Sequence, residues 1–220
     1  GERSWLVGFD KIVLATGARD LAMAFPGWNQ PGVMGAAALQ MLLTRYDAFS
    51  GRRMLVVGSH DMALKTALLA HERGVEVIGL LEVRDAPQGS ADLIAKVEAA
   101  GIAIRCGQTI TSAKGGLDGV ERAKLSSGEE IACDTICMAI GLVPSIELID
   151  AMHGPRALNP MRGGYVPAGE PTVSTVGDCA GLDDTGFDHI AYRMEWMQAL
   201  SAISADDTII CQCEEVTRED

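Results

Sequence analysis

No apolar run in the chain reaches the ~18 uninterrupted residues that a membrane span needs. The longest candidate, Ile136 to Ile149, is broken by Gly141, Pro144, Ser145 and Glu147. A secretory signal is missing too, since Gly1-Glu2-Arg3-Ser4 leads into no long apolar stretch. Position 1 is not Met, so the expectation is a chain processed or cut from something longer. Basic residues are scarce: 18 Lys and Arg face 30 Asp and Glu, a formal net charge of −12 with a pI near 4.7. That balance argues against a nucleic-acid partner, which needs a basic face to neutralise phosphates. It argues equally against a polybasic membrane patch. The 4 histidines, at 60, 71, 153 and 189, show no metal-ligand spacing. The 6 cysteines, at 106, 133, 137, 179, 211 and 213, do not form the framework of a secreted disulfide-rich chain. A reduced, cytoplasmic setting is expected, and no segment is of low complexity.

What remains is an ordinary globular composition: 220 residues, 48% hydrophobic and 22% charged. Such a length holds one large domain or two small ones without a disulfide staple. Lys11 to Gly17 reads as a short buried strand closing on glycine. Gly35 to Phe49 has helical periodicity through Leu39, Leu42, Leu43 and Tyr46. Arg53 to Val57, Val75 to Leu81 and Ile102 to Arg105 read as apolar strands. Between them lie two helical stretches, Asp61 to Arg73 stopped by Gly74, and one that Ser90 caps and Gly101 ends. This β-α-β-α-β order is that of a parallel nucleotide-binding sheet. Thr109 to Ala113, Val120 to Leu125 and Glu130 to Ala132 then alternate as a hairpin meander. Asp134 to Ile140 returns to a buried strand, and Pro155 to Pro171 reads as loop. Thr172 to Val176 is a strand ending at Gly177-Asp178, and Asp188 to Ile203 is helical.

Gly58-Ser59-His60-Asp61-Met62-Ala63 follows a strand and opens a helix, where a dinucleotide fold places its phosphate-binding turn. Gly58 fills the first glycine slot and Ala63 the third, but His60 stands in the middle one. Glu82, at the end of the second strand, is the candidate for the acid that binds the ribose. The block is a nucleotide-binding turn or a structural one. If nucleotide approaches, His60 is expected to exclude it sterically, so that His60→Gly improves binding. The alternatives are a ring that swings out to pair with phosphate, or one that only caps the helix.

Cys133 and Cys137 bracket a buried strand and read as core thiols, since four residues of strand put their sulfurs roughly 13 Å apart. Cys211-Gln212-Cys213 lies in a polar tail. It is half of a thiolate metal or iron–sulfur site, or incidental.

Several segments occur in order: Lys11-Ile12-Val13-Leu14-Ala15-Thr16-Gly17-Ala18, the Asp134 to Pro144 strand with Gly141, and Thr172-Val173-Ser174-Thr175-Val176-Gly177-Asp178-Cys179-Ala180-Gly181. Together they resemble the pyridine nucleotide-disulfide oxidoreductase superfamily of two-dinucleotide-domain flavoproteins. Phe25-Pro26-Gly27-Trp28, Pro31-Gly32-Val33-Met34 and Cys211-Gln212-Cys213-Glu214-Glu215-Val216-Thr217 are similar to the FAD- and iron–sulfur-carrying subunits of amine and amino-acid dehydrogenases. That group includes opine oxidase, hydroxyproline dehydrogenase, the hydrogen cyanide synthase middle subunit and sarcosine oxidase alpha.

The resemblance implies an α/β fold with a Rossmann-like three-layer (β/β/α) nucleotide-binding domain, a β-meander and parts of a second, FAD-type domain. It implies a partial FAD domain at 1–51 and 146–206, an NAD(P) domain at 52–145, and the start of a [2Fe-2S] segment at 207–220. Thr16, Gly17, Gly177 and Asp178 would serve FAD. Gly58, Ser59, His60, Asp61, Ala63, Glu82 and Gly141 would frame NAD(P). Cys211 and Cys213 would be two thiolates of the cluster. The amino-terminal β-α-β unit for the FAD pyrophosphate, a second cysteine pair and the dithiol of the disulfide-reducing branch are not visible in the sequence. The expected whole protein is an electron-transfer subunit beside a dehydrogenase partner that oxidises a C–N bond. The alternatives are an independent NAD(P)H-dependent flavin reductase and a non-catalytic scaffold. The 220 residues alone are expected to hold no stoichiometric cofactor and to be inactive.

Overall fold

The computed structural model describes residues 4–169, 172–182, 186–211 and 213–219. These form two compact units, one of the described residues within 4–19 and 142–191, the other of those within 20–141 and 192–219.

The larger unit follows the expected alternation. Its elements are β1 (Val33–Gly35), α1 (Ala36–Met41), β2 (Arg53–Val57), α2 (Asp61–Glu72), β3 (Glu76–Glu82), α3 (Ala91–Ala99) and β4 (Ile104–Cys106). The meander β5 (Ile110–Gly116), β6 (Gly119–Leu125) and β7 (Glu130–Ala132) follows, then β8 (Thr135–Met138) and α4 (His189–Ile203), whose body from 192 onward belongs here. A five-stranded sheet in the order β1-β8-β2-β3-β4 is parallel throughout. Met54, Leu55, Val56 and Val57 of β2 are buried without alternation, because both faces of a parallel sheet are covered. Met54, Val56, Leu80 and Cys137 pack with Leu64 and Ala67 of α2 and Val97 of α3 in one core. The meander forms its own three-stranded antiparallel sheet.

Two expectations change. After Met41, helix α1 widens into a π-turn over Leu42–Tyr46 and ends at Asp47, which has a left-handed φ of 47°. The wider turn carries Tyr46 off the apolar stripe, and it is 60% exposed while Leu39 and Leu43 are buried. The stretch expected as loop from Pro155 holds an antiparallel hairpin, Arg156–Asn159 with Gly164–Pro167. Asn159 accepts a hydrogen bond from the Met161 N–H and Gly163 closes the turn at φ 85°, so local side-chain chemistry folds the two short strands back on each other. Residues 20–51 group with the larger unit, where Val33–Gly35 pairs with Ile136–Met138 and adds a fifth strand.

The smaller unit holds a parallel pair, Ile12–Leu14 with Val173–Thr175, the hairpin, and a short helix at Glu147–Ala151. Arg19 pairs with Glu147 at 2.8 Å and holds its carboxyl below the usual range. Among the described residues no helix is long and apolar enough to cross a membrane.

Candidate functional site

The turn after β2 begins at Gly58, whose N–H donates to Leu81 O at 2.9 Å. Its φ is +112°, and a Cβ there would stand 2.3 Å from Ala139 O. Only glycine passes between the ends of β3 and β8 in this way. Ser59 is fully buried. His60 is the N-cap of α2, its Nδ1 accepting from the Met62 N–H at 3.2 Å. Asp61 Oδ1 accepts from Ser90 N–H at 2.6 Å, tying the loop after β3 onto the turn. Ala63 is wholly buried, as close helix–sheet packing requires.

Glu82 ends β3 beside this turn and is completely buried. Its Oε2 accepts from the Ser59 hydroxyl and, at 2.8 Å, from the Tyr192 hydroxyl. Its Oε1 accepts from the Arg84 N–H at 2.9 Å. Ser59 N–H donates in turn to the Tyr192 oxygen at 3.2 Å, and Gln88 N–H to Ser59 Oγ at 3.0 Å. Arg84 reaches over the Tyr192 ring, 5.2 Å from its centroid, and grips both carboxylate oxygens of Glu195 at 2.7 and 2.8 Å. Tyr192 and Glu195 both lie on α4. Burial, and then the Glu82 charge, push the Tyr192 phenol above its ordinary range. Arg84 holds the Glu195 carboxyl below the usual range.

The fold thus brings Ser59, His60 and Glu82 together, as the spacing of turn and acid anticipates. It also shows what fills the crevice. The His60 ring swings aside to cap α2 and lies edge-on to Tyr192, 5.8 Å between centroids. Three donors stand on the acid, the Ser59 and Tyr192 hydroxyls and the Arg84 N–H, and Tyr192 takes a position on Oε2 at which a dinucleotide's ribose hydroxyl would also donate. Of the roles expected of His60, the cap of α2 is the one this geometry displays. Tyr192 stands 110 positions from Glu82, and neither it nor Arg84 and Glu195 carries a local motif. No spacing in the sequence pointed to them. Gly141 follows β8, where a Cβ would meet Arg193 Nε at 3.1 Å. Arg193 is buried, and burial lowers its pKa.

In the smaller unit, Leu14 is in register with Thr175. Thr16-Gly17 and Gly177-Asp178 therefore emerge side by side from the C-terminal ends of parallel strands, where α/β sheets place ligands. Val176 N–H donates to Leu14 O at 3.0 Å, and the buried Cys179 thiol donates to the same oxygen at 3.3 Å. Gly17 and Gly177 have φ of +67° and +71°, with nothing within 4 Å of a Cβ at either. The backbone turn demands glycine while the space beside it stays open, and Asp178 is exposed. These four positions suit a polyhydroxyl chain such as the ribityl portion of a flavin. The Thr16 hydroxyl is engaged, donating to Ser145 O at 2.7 Å.

Cys211 is half-buried at the end of strand Ile209–Cys211, which pairs with Val216–Thr217, and Cys213 is exposed. Gln212 lies outside the described residues. Trp28 Nε1 donates to Ile209 O at 2.5 Å, and Arg218 donates to the Ser201 carbonyl at 2.9 Å and to that of Ser204. The hairpin is thereby tied to the C-terminus of α4. Among the described residues no three His, Cys, Asp or Glu side chains are grouped to hold a metal. Cys133 and Cys137 are buried as expected of core thiols. Burial raises Cys133 to about 11 and Cys137 further.

A family model for pyridine nucleotide-disulphide oxidoreductases matches residues 4–205. The chain is similar to the sarcosine oxidase alpha subunit of Rhizobium meliloti (strain 1021), 32% identical over 149 residues, covering 67% of this chain and 14% of that protein. It is also similar to rhodocoxin reductase of Rhodococcus erythropolis, 30% identical over 188 residues, covering 79% of this chain and 42% of that protein. Its fold is shared with the ferredoxin reductase of the CYP199A2 system from Rhodopseudomonas palustris, with a TM-score of 0.60 and 21% identity, covering 91% of this chain and 53% of that one. The chain spans less than half the length of both sequence relatives.

Proposed function

Because the chain belongs to the pyridine nucleotide-disulphide oxidoreductase family, we propose that its whole protein is a flavin-containing electron-transfer subunit, and that a partner subunit oxidises a C–N bond of an amine, amino acid or opine. One observation carries this reading. The acid that would hold a nicotinamide dinucleotide is buried and already accepts from Ser59, Tyr192 and the Arg84 N–H. Electrons then arrive from a partner and not from NAD(P)H. The printed name of the sarcosine oxidase relative, a subunit, supports the same reading.

A bound flavin would supply the capacity to take two electrons and release them singly. This chain's part is to bind and orient. Gly17 and Gly177 would let the backbone turn close to the ribityl chain, and Asp178 would accept a hydrogen bond from one of its hydroxyls. The buried Cys179 thiol holds the two loops together through Leu14 O. Cys211 and Cys213 would offer two thiolates to a [2Fe-2S] cluster, which would need further ligands besides them. By itself the chain is expected to be inactive.

A second reading, an NAD(P)H-dependent reductase, is favoured by the name of the rhodocoxin reductase relative. A tagged whole protein purified from its native source separates the two. The first reading expects a co-purifying dehydrogenase subunit and reduction of a dye by amines or amino acids but not by NADH. Dye reduction by NADH without a partner would establish the second.

A further inference from the structure

Helix α4 does more than cover the sheet. Its Tyr192 is buried completely against the phosphate-binding turn. The single hydroxyl accepts from Ser59 N–H and donates to Glu82 Oε2. A ribose hydroxyl bound in this crevice would donate to the same carboxylate, and a phosphate oxygen would accept from an N–H of the same turn. The phenol thus makes one contact of each kind. We infer that α4 is a built-in occupant of the nucleotide crevice, with the Tyr192 hydroxyl standing in for the dinucleotide, and that a nicotinamide nucleotide binds only when this helix withdraws.

The contact is latched from the side. Arg84, two residues beyond the acid, holds Glu195 with both arms and covers the Tyr192 ring. Gln88 receives Arg84 Nη1 at 2.5 Å and donates its own N–H to Ser59. Trp196, one turn along the helix, is fully buried edge-on to Tyr192 at 6.3 Å. The same helix carries at its far end the Arg218 contacts of the cysteine hairpin. Withdrawal of Tyr192 therefore moves a helix to which the hairpin is bonded.

This inference concerns the crevice alone and is independent of the partner's chemistry. The test is an NADH titration, followed by nicotinamide fluorescence, of wild type, Tyr192→Ala, Tyr192→Phe and Met197→Ala. Met197 is an exposed residue of α4 and serves as the control. If the competent fraction of wild type is a tenth or less, Tyr192→Ala tightens NADH at least ~10-fold, because apparent affinity scales with that fraction. Tyr192→Phe, which keeps the ring but frees Glu82 and Ser59, tightens it by about threefold, and Met197→Ala leaves it unchanged. Saturating NAD⁺ should also shift the Trp196 emission of wild type to the red as the ring leaves its pocket. Affinity unchanged or weakened in a folded Tyr192→Ala variant overturns the inference. If that variant does not fold, unchanged or weaker binding by Tyr192→Phe does so. The absence of a co-purifying dehydrogenase would count against the functional reading and leave this result untouched.

Discussion

A carboxylate as deeply buried as Glu82 is tolerated only because each donor around it offsets part of its desolvation. Removing one donor leaves a buried charge short of a partner. Tyr192→Phe is therefore expected to cost about 1–3 kcal/mol, read as a lower urea midpoint at unchanged slope. No change in midpoint would mean that water replaces the hydroxyl. Gly58 is constrained from another direction. A Cβ 2.3 Å from Ala139 O cannot be relieved by a side-chain rotation, since the obstacle is backbone. Gly58→Ala should cost at least ~2–4 kcal/mol, combining backbone strain with a clash, and thermal unfolding measures it. The cysteines separate by burial. In native protein at pH 8, a thiol reagent should label the exposed Cys213 first, while Cys137 and Cys133, the latter raised to about 11, react only on unfolding. Fast native labelling of Cys137 would contradict its place in the sheet core.

At the scale of elements, α4 is held over the crevice chiefly by its Tyr192 face and by the Arg84–Glu195 pair. Glu195 titrates below its ordinary value because Arg84 stabilises the charged form. A depressed carboxyl contributes stability above its unfolded pKa of about 4.3 and loses it as pH falls through the folded value. Glu195 is 43% exposed, so after solvent screening the contribution stays below about 1 kcal/mol. Trp196 emission should accordingly hold steady from neutral pH to about 4.5 and move only below it. A transition near pH 6 would implicate a histidine instead. His60 provides the converse check. As the cap of α2 it bonds Met62 N–H, so His60→Gly should lose a few tenths of a kcal/mol of stability. It should gain little nucleotide affinity, because the blocking group is Tyr192. These elements were unequally legible. The strands and helices from Arg53 to Cys106 show in the sequence because each is an apolar run stopped by glycine or a cap. The hairpin at Arg156–Pro167 does not, since Leu158, Tyr165 and Val166 are set among Pro, Gly and polar residues and its turn depends on Asn159. The short strand Val33–Gly35 is invisible for a similar reason: it is three residues long and paired on one side.

For the molecule as a whole, the order of motifs from Thr16-Gly17 through Gly58 and Glu82 to Gly177-Asp178 was enough to identify the architecture. What order alone could not convey is occupancy. Glu82 and the turn sit where the pattern puts them, yet one of the three donors on the acid, the Tyr192 hydroxyl, comes from a residue distant in sequence. The flavin side has the opposite character, with open space beside Gly17 and Gly177. That space offers few donors, and a pyrophosphate needs N–H groups at a helix N-terminus. The 220-residue chain purified alone should therefore show flavin absorbance far below one per chain. On the proposed function, electrons reach the flavin from a partner subunit and not from NAD(P)H. Anaerobic mixing of the whole flavin-loaded protein with excess NADH, followed at the flavin absorbance band, decides the matter. The flavin is expected to stay oxidised with NADH and to bleach when the partner's amine or amino-acid substrate is added. Rapid bleaching by NADH alone would show that electrons enter from the nucleotide.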